Sequence, residues 1–169
     1  MALPIWRIEP LSKAYDRGQF CSGEDALDKF LKTQARQQQD KGFNRTYVAV
    51  SEDGRILGFY SLNAGHVSMD LLSEEDRAGF PYYAAIPALV LGRLAVDLSM
   101  RGKGLGAALF RHAAEQAVAI SKIAGVALMA VDAKNDEVRA FYVRLGFRSL
   151  EGNPLQLFLA IKTLAASVQ

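Results

Sequence analysis

A mixed α/β fold, one sheet flanked by helices, is predicted by three features of the chain. An apolar, β-branched run at 86–97 leads into a glycine-rich turn and then a helix, in which Leu109, Ala113, Ala117 and Ile120 recur at helical spacing. A further strand and helix follow across 126–145, so the strands on either side of the first helix are expected to be parallel. Upstream, two strand-like runs flank Glu52-Asp53-Gly54, a hairpin turn, which makes that half antiparallel.

Each element has a local reason. Ile5–Glu9 alternates as a first strand. Ser22 is placed as a helix N-cap answered by Asp25, and Leu27, Phe30, Leu31 and Ala35 then form one apolar face up to about Lys41. Arg45–Ser51 and Ile56–Ala64 are the hairpin strands, and acidic Ser73–Ala78 reads as a short helix. The strand 86–97, a helix over 104–121, the strand Val126–Val131, a helix from about Asp136 to Leu145 and a last strand Leu155–Lys162 complete the chain. No linker, repeat or low-complexity tract interrupts it, so residues 1–169 are expected to form a single domain burying about 70% of the unfolded surface. No apolar run is long enough to span a bilayer, and Met-Ala-Leu-Pro-Ile-Trp is not a secretory signal. The single cysteine, Cys21, cannot form an internal disulfide, which points to the cytoplasm, and it is expected to be a small buried residue rather than a nucleophile.

The chemistry centres on Arg101-Gly102-Lys103-Gly104-Leu105-Gly106. A strand, a glycine-rich turn and a helix start make an anion site, because the first helical amides lack internal partners and the helix dipole adds positive charge there. The glycines let the backbone approach a phosphate, and Arg101 and Lys103 bring two cations. A flexible surface loop is the competing reading. Residues 102–107 also match a degenerate dinucleotide fingerprint, with Asp132 as a candidate ribose ligand. Against that, Leu98–Arg101 separates strand from glycines, and about half the chain precedes the turn. A triphosphatase loop is excluded, since no Gly-Lys-Ser/Thr occurs.

Downstream, residues 132–147 contain Asn135, Tyr142, Gly146 and Phe147 in an Asn…Tyr…Gly-Phe order. With Arg101, Gly104 and Gly106 before them, the chain resembles the GNAT-superfamily N-acetyltransferases. Phe20–Gly23, Leu27-Asp28, Thr46–Ala49, Gly58–Leu62 and Gly92–Asp97 extend the likeness, over roughly 18–160, to the acetyltransferase toxins of bacterial type II toxin–antitoxin pairs. The resemblance implies a mostly antiparallel sheet with splayed central parallel strands. It implies acetyl-CoA as acyl donor without a metal, held at the pyrophosphate by Arg101, Gly102, Lys103, Gly104, Leu105 and Gly106. The pantetheine arm would be held by backbone groups of Leu94 and Val96 and by Asn135, and Tyr142 would protonate the leaving thiolate. An antitoxin and a homodimer are implied as partners.

Spacing alone gives Tyr142 a second reading. Val138, Phe141, Tyr142 and Leu145 recur at helical intervals, as core residues do, and only the Asn135 and Gly-Phe context favours the acid. No general base stands out: strand 86–96 carries no carboxylate, and His112, inside a helix, reads as structural. An α-amine titrating near 8 needs less help to lose its proton than a lysine near 10.4, at about 1.4 kcal/mol per unit. Residues 101–148 carry eight basic against four acidic residues, and Lys29, Lys32 and Arg36 fall at spacings that make one helical stripe. The acceptor that the toxin resemblance implies, aminoacyl-tRNA, presents such an α-amine on a polyanion, whose phosphates the basic stretches would suit. A small-molecule amine or protein N-terminus as acceptor, and a non-catalytic acyl-CoA-binding regulator, are the other classes.

Overall fold

The computed structural model describes residues 5–168. Seven strands form one sheet in the order β1-β2-β3-β4-β5-β7-β6: β1 (Trp6–Pro10), β2 (Arg45–Ser51), β3 (Ile56–Ser68), β4 (Ala85–Val96), β5 (Leu128–Asp132), β6 (Arg148–Leu150) and β7 (Asn153–Ala160). β1–β2, β2–β3, β5–β7 and β6–β7 pair antiparallel, and β4–β5 is parallel, as the alternation of strands and helices predicts. The helices are α1 (Asp25–Lys29), α2 (Ala35–Asp40), α3 (Glu74–Arg77), α4 (Leu105–Ser121), α5 (Asp136–Arg144) and α6 (Ile161–Ser167). A π-helical turn, Phe30–Gln34, joins α1 to α2.

The chain divides into two compact units. One holds the residues up to Asn63 and Gly92–Ala113; the other holds Ala64–Leu91 and everything from Ala114 onward. In the first, the apolar face expected over 27–35 is realised: Phe30, Leu31 and Ala35 pack with Phe20, Val48, Val50, Ile56, Phe59 and Ala95. Burying a side chain of this size contributes about 1.5–3 kcal/mol, so this cluster holds α1 and α2 on their strands. Gly58 lets α4 come close to β3, because a Cβ there would meet Leu109 Cδ1 at 2.9 Å and the Ala95 carbonyl at 3.1 Å. In the second unit Val67, Met69, Leu72, Ile86, Ala88, Leu128, Leu150 and Phe158 form the core.

Several local expectations are corrected. Ser22 does not cap the helix. Glu24 occupies the N-cap without a side-chain bond, while the Ser22 hydroxyl and amide both donate to the buried Asp28 carboxylate, at 2.7 and 3.0 Å. A charged acceptor outcompetes the capping geometry, and the residue that answers Ser22 is Asp28 rather than Asp25. Cys21 is exposed, because its backbone rather than its side chain docks against the protein. The segment predicted as one last strand, Leu155–Lys162, is a strand ending at Ala160 followed by α6, and β6 precedes it.

Candidate active site

Residues 97–107 build the anion loop. β4 ends at Val96, and Asp97 turns the chain through a 3₁₀ turn at Leu98–Met100 by accepting from the Ser99 amide at 3.1 Å. The Asp97 carboxylate also accepts from the Ser99 hydroxyl at 2.6 Å, the Cys21 amide at 2.9 Å and the Arg55 guanidinium at 3.3 Å. Burial alone would raise this carboxyl. The hydrogen bonds from Ser99 and Cys21 and the Arg55 charge outweigh it and hold Asp97 below the ordinary carboxylate value.

Beyond the turn, Gly102 and Gly104 take φ of +72° and +84°, which glycine adopts without strain. No atom lies within 4 Å of where a Cβ would project at either. A Cβ on Gly106 would meet only Val96 Cγ2, at 3.8 Å. The first backbone bond into α4 runs from the Ala108 amide to the Gly104 carbonyl, so helix geometry leaves the Leu105, Gly106 and Ala107 amides without a helical acceptor. An open cradle of amides at the positive end of a 17-residue helix fits a phosphate. Leu105 is fully buried and can offer only its amide, whereas Lys103 is exposed. Arg101 donates to the Ser22 carbonyl at 2.7 Å, which ties the 20–24 segment to the loop.

Leu94 and Val96 lie on the same strand, two and four residues past Gly92. The β4–β5 pairing runs only from Ala88↔Leu128 to Leu91↔Val131, so β4 continues for Gly92–Val96 beyond its last parallel partner. Arg93 sits with its guanidinium carbon 3.7 Å from the Phe30 ring centre, and burial lowers its pKa. Ser61 and its cross-strand neighbour Thr46 are both buried, and neither hydroxyl has a hydrogen-bond partner.

The second unit holds the other two expected residues. Asn135 caps α5, accepting from the Val138 amide at 2.9 Å, so its side-chain oxygen is committed to the helix start. Tyr142, 5% exposed, meets Phe147 edge to face at 5.3 Å. Burial pushes its phenol well above the ordinary value. Tyr142 is thus a packed residue whose phenol is protonated at neutral pH. His112 is structural in setting, with Nδ1 2.5 Å from the buried Tyr60 hydroxyl and Tyr47 beside both rings.

Lys32 and Arg36, two of the three stripe residues, line a hollow with Arg17, Thr33, Gln37 and Asp40. Lys29 precedes the π turn Phe30–Gln34 that carries Lys32, and Arg36 follows it. Arg17, from a separate loop, was not legible from spacing, and although Asp97 and Ser61 lie in segments that carry the resemblance, nothing in the sequence disclosed the clamp of the one or the unpaired hydroxyl of the other. Among the described residues no group of three or more His, Cys, Asp or Glu side chains could hold a metal ion. No described helix is long and apolar enough to cross a membrane.

Comparison with known proteins adds to this geometry. The pattern of the acetyltransferase (GNAT) family matches residues 10–147. A tRNA-acetylating toxin of Mycobacterium tuberculosis (strain ATCC 25618 / H37Rv) is 36% identical over 158 residues, covering 94% of this chain and 93% of the toxin. The solved structure of AtaT complexed with acetyl-methionyl-tRNAfMet superposes with a TM-score of 0.90 at 32% identity, covering 98% of this chain and 100% of that one. A mutant AtaT toxin bound to the C-terminus of the antitoxin AtaR and acetyl-CoA gives a TM-score of 0.83 at 31% identity, covering 96% and 97%.

Proposed function

The chain belongs to the acetyltransferase (GNAT) family, and from that premise we propose that it is a toxin moving an acetyl group from acetyl-CoA to the α-amine of aminoacyl-tRNA. Residues 1–169 act as one N-acetyltransferase domain in the cytoplasm, without a metal. The observation that carries the donor is the open glycine cradle at the start of α4. Its amides, with Lys103, hold the pyrophosphate, and the backbone of Leu94 and Val96 holds the pantetheine arm. Bound acetyl-CoA supplies an activated thioester.

In the transfer, the amine nitrogen forms a bond to the acetyl carbon, the carbon–sulfur bond breaks, and the amine releases one proton to solvent. Tyr142 gives its phenolic proton to the departing sulfur and is restored from solvent. Burial weakens the phenol as an acid, but the same dry surroundings disfavour a thiolate, so the proton affinities of the two groups rise together. Asn135 serves by fixing the start of the helix that carries Tyr142.

Arg17, Lys32 and Arg36, converging on one hollow, suit the phosphates of a nucleic acid better than a small amine does. The similarity to proteins solved with charged tRNA and with an antitoxin supports the same acceptor, and an antitoxin as inhibitor of this chain. Homodimerisation belongs to the same reading.

The test reverses Lys32 and Arg36 to Glu together, leaving Arg17, which donates to the Leu31 carbonyl, in place. Acetyl-CoA binding should be unchanged, acetylation of charged tRNA should fall at least tenfold, and its salt dependence should flatten. Wild-type transfer to charged tRNA by this variant would remove Lys32 and Arg36 from the acceptor surface. A wild-type protein that acetylates a free amine and no charged tRNA would leave a small-molecule or N-terminal acetyltransferase.

A further inference from the structure

We propose that a cavity at the last rungs of the β4–β5 pair seats the apolar side chain of the acceptor's aminoacyl group. This deepens the acetyl-transfer reading and rests on it.

Central strands of a sheet are normally covered on both faces. β4 and β5 lie inside the sheet, and Ile86, Ala88 and Leu128 on one of its faces are buried in the core of the second unit. Side chains two residues further along a strand return to the same face. Val90 and Ala130, which pair directly with each other, are those next side chains, yet both are only half-buried. The cover stops at the end of β3 and the 3₁₀ turn Met69–Leu71. Val67 is buried there, whereas Leu71 keeps 37% of its surface exposed. Together with Leu150 these residues line a cavity of about 270 Å³, and all of its lining belongs to the second unit.

Apolar surface left open in mid-sheet gains by being covered, and the size of the gap limits what can cover it. Drug-sized ligands occupy cavities of about 300–1,000 Å³, so this one takes a single side chain rather than a whole cofactor. The walls are apolar, but His66 and Asp132, both exposed, and the half-buried Gln156 also border it. Among the described residues their side chains make no hydrogen bond or ion pair. The complementary ligand therefore has an apolar branch for the walls and a polar, N–H-bearing head for Asp132 and Gln156. An aminoacyl group has this division, with its side chain on one branch of the α-carbon and its amine and ester on the others.

The position agrees. β5 accompanies β4 only as far as Leu91↔Val131, and the acetyl-transfer reading lays the donor arm on the stretch of β4 beyond. The acyl end of that arm meets the strand where the pairing stops, which is where Val90, Ala130 and Asp132 border the cavity. Asp132 also ends β5, three residues before Asn135, which caps the helix that carries Tyr142.

The methyl esters of methionine and glycine are the acceptor probes, since they share an amine and an ester and differ only in side chain. In the wild type, kcat/KM should favour the methionine ester about tenfold to a hundredfold, the effect of burying one apolar side chain. Ala130→Leu and, separately, Ser68→Leu place bulk in the cavity and should bring that ratio close to one; thermal stabilisation by acetyl-CoA shows that each variant folds. Calorimetric titration of both esters measures the seat without transfer and should show the same preference. Wild-type transfer to both esters with equal kcat/KM overturns the seat whatever the variants do, and so does a preference that survives in a folded variant. Filled variants that reject longer acyl-CoA chains while keeping the ester ratio would give the cavity to the acyl group, which also overturns it. Tighter binding of the methionine ester with no acetyl transfer to any amine would uphold the seat and remove the acetyl-transfer reading.

Discussion

Replacing Asp97 with Asn should loosen the anion loop by an amount that follows from its four hydrogen bonds. One carboxylate oxygen accepts from the Cys21 amide, and the other accepts from the Ser99 amide, the Ser99 hydroxyl and Arg55. Asparagine keeps one acceptor oxygen, and its best orientation turns that oxygen to the three-donor side. Its NH₂ then faces the Cys21 N–H, donor against donor. Losing one hydrogen bond to a charged acceptor costs about 1.5–3 kcal/mol. The Arg55 side chain is 38% exposed, so screening limits the loss of that ion pair to about 1 kcal/mol or less. The sum, about 2–4 kcal/mol, corresponds to a Tm lowered by about 5–15 °C for a chain of this length. Thermal and urea unfolding at pH 7 measure it. The pH dependence has a definite sign. The folded carboxyl is held below its ordinary value, so its stabilisation is present above about pH 4 and is lost as pH falls through the folded value. The gap between wild type and Asp97→Asn should therefore close in acid. A variant melting within about 1 °C of wild type at pH 7 would refute the clamp.

Gly106→Val should fold normally, since its Cβ meets only Val96 at 3.8 Å and φ is not positive, yet lose the thermal stabilisation given by acetyl-CoA; retention of that response would displace the pyrophosphate from the cradle. It is a cleaner probe than Gly104, whose φ of +84° would strain any side chain. Tyr142→Phe should keep the fold and acetyl-CoA binding while slowing transfer about 10²–10⁴-fold, and a wild-type rate would reduce Tyr142 to packing. Because burial raises the Tyr142 phenol, its acid role should persist to about pH 10. Its folded-state contribution to stability should hold below that pH and fade only as pH rises further, so a loss of Tyr142-dependent rate near pH 8 would point to another acid.

What the sequence discloses is what neighbours in sequence decide. The hairpin at Asp53-Gly54, the glycine turn with positive φ at Gly102 and Gly104, and the helix after it follow from spacing within a few residues, and each stands where expected. The π turn was hidden because Phe30, Leu31 and Ala35 satisfy an apolar face in either helical form. Arg101 bonding to the Ser22 carbonyl and Asp97 to the Cys21 amide join positions more than seventy residues apart, and no motif encodes either. The exposure of Cys21 follows from that docking and was likewise out of reach. Asn135 was legible as part of a family motif; that it caps α5 emerges only from the structure.

The strand order also bears on how the chain is made. β7 lies between β5 and β6, so β6, although synthesised first, has no neighbour to pair with until β7 has emerged. The first unit must likewise wait for Gly92–Ala113, and β3, β4 and α4 each contribute to both units. Neither unit is therefore a continuous stretch that a ribosome could complete early. Until β7 has emerged, β5 presents an unpaired edge, the kind of surface that recruits foreign strands. A chain of this topology exposes that edge for as long as β7 is still to come, and a partner that binds the nascent chain there meets it before the sheet closes.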